Sequence, residues 1–238
     1  MNKLWLINAA PLIVLLPMLV VCAIKTVRPK IPLYFQITFG AAACACLEFI
    51  YYNVLLLCAT EEFRSGCMKS LSGLGSLAVG GFCAFFFAAN FGQFDSFVDG
   101  GQRIYRRVRL ISLAAPAVIL GGALWALISS GRHEPILILI AAINLTCMVP
   151  CSYYNLKFIL MKDDGTGFVS GARLPNIASL LYIVLELASA VLYLIGEQIT
   201  EAAFFPIVDK VLYFLTAAVV GVVFVSSAEG RKKWMSLS

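Results

Sequence analysis

Apolar stretches long enough to cross a bilayer recur along this chain, and short segments between them hold nearly all of its charge. A spanning helix takes about 20 apolar residues. Seven blocks meet that length, at 4–24, 32–58, 70–90, 108–130, 135–158, 175–195 and 202–227. Backbone inside lipid must satisfy its own hydrogen bonds, which leaves helices or a closed barrel. These blocks are too long and too uniformly apolar for barrel strands. The expected fold is therefore an all-α integral membrane protein, a seven-transmembrane-helix bundle forming a single domain over 1–238. Composition agrees, with 61% hydrophobic residues and 13% charged, where a soluble domain carries about 25% charged.

The connecting charges give an orientation. One side collects Lys25, Arg28, Lys30, Arg103, Arg106, Arg107, Arg109, Lys157, Lys162, Arg173, Arg231, Lys232 and Lys233, thirteen in all. The other has four: Lys3, Arg64, Lys69 and Arg132. Basic loops stay cytoplasmic, so the C-terminus is expected inside and the N-terminus outside, in the cell (plasma) membrane. The net charge of +5 then needs no nucleic acid. The cluster Arg103, Arg106, Arg107 and Arg109 suits anionic headgroups; the alternative is a docking surface for a cytoplasmic partner.

Several features read as structural. Seven of the eight cysteines fall in or at the ends of apolar blocks, where cysteine acts as a small hydrophobe. Cys147 and Cys151 share a helix face, but no histidine joins them, so no zinc site is expected. The first block lacks a cleavage site and reads as a retained helix. The sequon at Asn144 lies inside a helix, out of reach of glycosylation. The glycine-rich segment 163–171 joins two membrane helices and is expected to be a flexible connection.

Charge inside an apolar block is costly and marks a site. Glu48 and Glu186 fall near the middle of their blocks, and Asp209 and Lys210 stand side by side in the last. Small and polar residues mark the inward faces of membrane helices. Such faces carry Gly40, Cys44 and Glu48; Ser72, Ser76, Gly80, Ala84 and Ala88; Asn144, Cys147, Cys151 and Asn155; Tyr182, Glu186, Ser189 and Tyr193; and Lys210, Ala217 and Gly221. Glu48, Glu186 and Lys210 are thus expected to converge in a polar site that binds a small polar solute or a proton. Asp209, Tyr182, Asn144 and Asn155 are the further candidates. The alternative for Lys210 is an outer position with its amine reaching the headgroups.

A repeat is also legible. Pro17 and Pro150 lie 133 residues apart, Glu48 and Glu186 138, and Gly80 and Gly221 141. This reads as three helices, a linker helix and three more, a parallel repeat about the membrane normal. The layout resembles that of small sugar and amino-acid carriers with proline-hinged first and fifth helices, although none of their diagnostic dipeptides is present.

The segment 207–213, Ile-Val-Asp-Lys-Val-Leu-Tyr, is similar to the one carrying the Schiff-base lysine of microbial retinal proteins. That resemblance implies Lys210 as an attachment point, yet it covers one helix alone. Pro206 stands where those proteins usually have an aspartate, and the third block has no carboxylate.

The expected function is a small-solute carrier, proton-coupled through its carboxylates, with no cofactor. The alternative is a sensory receptor that binds a ligand in the same pocket and signals to a separate cytoplasmic partner. No nucleophile–base pair or cofactor motif points to an enzyme.

Overall fold

A computed structural model describes residues 9–28, 31–58, 74–94, 102–131, 134–161, 168–199 and 204–235. Among these lie eight helices: α1 Leu12–Thr26, α2 Leu33–Cys58, α3 Leu77–Phe94, α4 Gln102–Ser112, α5 Ala114–Ser130, α6 Pro135–Leu160, α7 Phe168–Ile199 and α8 Phe205–Met235. Five stretches are long and apolar enough to cross a membrane: Leu33–Val54, Arg107–Ser130, Pro135–Leu160, Val169–Ile195 and Pro206–Lys233. Two shorter apolar helices, Leu12–Thr26 and Leu77–Phe91, accompany them. Among the described residues all regular structure is helical, and the protein is a helical membrane protein. Large apolar side chains such as Val14, Ile128, Leu139 and Val211 stay more than half exposed, as a lipid-facing surface requires.

Local chemistry sets several boundaries. Gly131 ends α5 in the left-handed conformation, with φ 61° and its N–H donating to the Ile128 carbonyl, a geometry that costs glycine little. Four residues on, Pro135 opens α6 at a position where a missing N–H is harmless. The basic helix α4 runs almost directly into α5, with Leu113 between them, so one apolar span starts at Arg107.

α7 departs from expectation. It starts at Phe168, well before Pro175, so Gly171 is helical rather than part of a flexible connection. The reason is close packing. α7 and α8 meet backbone to backbone at Gly171 and Gly230, where a Cβ on Gly171 would lie 2.9 Å from the Gly230 carbonyl oxygen.

α2, α3, α6, α7 and α8 close a ring, because α8 returns to α2. α1 packs on α2, α2 on α3 and α8, α3 on α6, α6 on α7, and α7 on α8; α5 lies outside, against α6 and α7. One end of this bundle gathers basic residues. Lys25 sits over the rings of Phe39 (4.5 Å) and Phe224 (4.8 Å), tying α1 to α2 and α8. Arg173 of α7 donates to the Met161 carbonyl just past α6 at 2.7 Å. Arg231 lies near Lys25.

The small-residue stripe expected in the third span is only partly inward. Ser72 lies outside the described residues, Ser76 is half-buried and Gly80 is buried, but Ala84 and Ala88 are exposed. The buried face of α3 is instead Val79, Phe82, Cys83, Phe86, Ala89 and Asn90. Bulky aromatic residues here fill the bundle, and Ala84 and Ala88 face away from it.

Candidate functional site

Glu48 stands midway along α2 and is 4% exposed. A carboxylate that deep in an apolar bundle needs partners. Tyr182 of α7, fully buried, donates its hydroxyl to Glu48 Oε2 at 2.6 Å. One turn further along α7, Glu186 lies beside Glu48. Phe82 of α3 packs on the Tyr182 ring, 4.2 Å between centroids. Tyr52, one turn along α2, lies close to both carboxyls. Three helices thus converge on one carboxyl pair. Glu186 is half-buried where Glu48 is buried.

The structure brings two of the three central residues together and leaves the third apart. Lys210 makes its ion pair with its neighbour Asp209, Nζ to Oδ2 3.6 Å, and its ammonium lies 5.9 Å from the Tyr213 ring centre. The cause is where α8 begins. Phe205 is its first residue, so Lys210 falls in the second turn, near the helix end, rather than at mid-depth. The side chains of Lys210 and Asp209 are 30% and 53% exposed. Such a pair contributes at most about 1 kcal/mol. Lys210→Ala is therefore expected to leave folding and any proton coupling near wild type, measured by thermal unfolding in detergent and by flux in liposomes.

The two asparagine candidates lie at opposite ends. Asn144 of α6 donates to Ser76 Oγ at 2.9 Å, and its Oδ1 sits over Gly80, where a Cβ would be 2.8 Å away. Asn155, about three turns along α6, belongs to a second polar cluster. Asn90 Nδ2 donates to Asn155 Oδ1 (2.9 Å) and to Asn176 Oδ1 (2.7 Å). Asn155 donates to Ser179 Oγ at 2.8 Å. Asn176 donates to Tyr34 Oη (2.9 Å) and to the Ala172 carbonyl (2.7 Å). Each of these five side chains is at most 1% exposed. They join α2, α3, α6 and α7 at the basic end. At the other end Asn53 of α2 donates to Tyr213 Oη of α8 at 2.9 Å.

Reading ionisable residues alone misses Asn90, Asn176, Ser179 and Tyr34. Their signal was present, since a neutral amide within an apolar block also demands a partner. Asn90 and Asn176 stood at the assumed edges of their blocks, where water would have satisfied them. Among the described residues, no group of three or more His, Cys, Asp or Glu is arranged to hold a metal ion. No protein-family model, curated protein or solved structure matches the chain.

Proposed function

We propose that this protein is a proton-coupled carrier of a small polar solute, with Glu48, Glu186 and Tyr182 as its proton-handling centre. The observation that carries this reading is the contact of two carboxyl groups on different helices in the middle of an apolar bundle. Two unit negative charges about 4 Å apart repel by about 4 kcal/mol at the effective permittivity of protein sites. A pair that shares one proton avoids this, and Tyr182 donates a hydrogen bond to the charge that remains. Gain or loss of that proton changes the attraction between α2 and α7, which couples protonation to helix movement.

The wider architecture fits. With α4 and α5 taken as one span, the chain has seven, N-terminus outside and basic end in the cytoplasm. The packing of α1 on α2 and α2 on α3 is repeated by α6 on α7 and α7 on α8, while α5 stays at the periphery. We read this as two three-helix units joined by a linker helix, with α3 against α6 and α8 against α2 forming the seam between them. Glu48 and Glu186, at matching positions in the repeat, meet between the units. The glycine correspondence is weaker, because Gly80 lies under Asn144 and Gly221 has nothing within 4 Å of a Cβ.

The test is solute-driven proton movement. Purified protein in liposomes loaded with a pH-sensitive dye is challenged in turn with sugars, amino acids and amines. A carrier produces a saturable pH change that empty liposomes lack. Saturable binding without flux of solute or proton would replace the carrier with a receptor using the same pocket.

A further inference from the structure

We infer that the Asn90–Asn155–Asn176 cluster, with Ser179 and Tyr34, is a gate that closes the basic end of the bundle beneath the carboxyl pair. The inference rests on the carrier reading, and it assigns a moving part that the carboxyl pair alone does not supply.

The placement comes first. Tyr182 lies one turn along α7 from Ser179 and two from Asn176, and Glu186 a further turn on. The cluster therefore sits between the carboxyl pair and the basic end. Depth of burial differs between the two levels. Every cluster side chain is at most 1% exposed, whereas Glu186 keeps accessible surface. The bundle is packed more tightly at the amides than at Glu186.

The connectivity comes second. The hydrogen bonds link α2 and α3, from the first three-helix unit, to α6 and α7, from the second. A bond network crossing between units must break if the units move apart at this end. Below it, the Gly171–Gly230 contact holds α7 to α8. That contact lies inside the second unit and need not part.

The third observation is an unfinished bond. Asn90 uses its nitrogen twice, which fixes the orientation of its amide, and its Oδ1 is buried with no hydrogen-bond partner. An orphaned acceptor costs stability that water or a solute hydroxyl would restore on opening. The closed arrangement is thus held by several bonds but is not fully satisfied. Parting the network breaks these bonds, and a partner gained by Asn90 Oδ1 offsets part of that cost.

Cys151 provides the reporter, because it is fully buried and touches Asn155 Nδ2 at 3.5 Å. In a full-length chain whose other cysteines are replaced, a charged methanethiosulfonate reagent is applied to sealed vesicles of either orientation. With the cluster intact, Cys151 reacts slowly from both faces. Asn90→Ala is expected to speed the reaction about tenfold from the basic face alone. Tyr34→Phe keeps the ring and removes only the hydroxyl, so it serves if Asn90→Ala fails to fold, with the same one-sided increase expected. Unchanged rates, or equal increases from both faces, would overturn the gate. The readout needs no transport: a one-sided increase in a protein that moves no solute keeps the gate and removes the carrier, while flux with unchanged labelling does the reverse.

Discussion

Replacing Glu186 with glutamine is expected to abolish proton coupling while leaving the protein folded in the membrane. The amide fills the same space and still hydrogen-bonds Glu48, but it cannot take up or release a proton. In dye-loaded liposomes, solute-driven acidification should fall to the background of empty vesicles. Solute binding should persist and lose its pH dependence. Glu48→Gln should do the same and cost more stability, because Tyr182 donates to Glu48 Oε2 and an amide oxygen is a weaker acceptor than a carboxylate. Tyr182→Phe separates the two effects. It leaves both carboxyls, so coupling should survive with a shifted pH profile. If both glutamine variants retain wild-type acidification and pH dependence, the carboxyl pair is not the coupling site.

The second large effect is on folding, and it sets two glycines of α8 against each other. A Cβ on Gly230 would collide with the Gly171 carbonyl oxygen and lie 3.0 Å from Phe35 Cε1. Backbone cannot swing aside as a side chain can, so Gly230→Ala should destabilise by about 2 kcal/mol, in the middle of the range for overpacked sites. Gly221 has open space around it. Gly221→Ala should therefore stabilise by up to about 1 kcal/mol through helix propensity alone. Thermal unfolding of the purified variants in one detergent measures the difference. Equal effects from the two substitutions would mean that the α7–α8 contact at Gly171 is not as close as described.

These contrasts mark what the residues reveal unaided. Block length and charge placement were enough to identify a helical membrane protein, because hydrocarbon imposes one strong constraint on the backbone. Glu48, Glu186 and Tyr182 were legible for the same reason: each is costly in lipid, and helical spacing put them on inward faces. Their mutual contact was not legible, because it depends on how α2 crosses α7. Lys210 stood out by charge, yet depth along a helix is counted from where the helix starts. α8 starts at Phe205, and that places Lys210 near its end with Asp209.

Gly171 shows the opposite difficulty. In sequence it belonged to a glycine-rich connection after Asp163 and Asp164, and its neighbours carry no helix signal of their own. Tertiary contact with Gly230 explains why a glycine suits this helical position. The asparagine cluster was hidden in a similar way. Asn155 was read as an inward polar residue, but its partners Asn90 and Asn176 stood at the assumed block edges, Asn176 directly after Pro175, the assumed helix start. Only a bundle in which α7 extends back to Phe168 buries that amide.

The central claim is that Glu48 and Glu186 hold one exchangeable proton between them inside the membrane. An apolar carbodiimide tests it most directly, since it enters lipid and reacts with protonated carboxyls. Mass spectrometry then locates the adduct. The account predicts a single adduct, on Glu48 or Glu186 and never on both, whose yield falls as pH rises and the shared proton leaves. Glu186→Gln and Glu48→Gln should each confine the adduct to the remaining glutamate. Absence of an adduct on either glutamate at acid and neutral pH, with the exposed Asp209 modified instead, would contradict it.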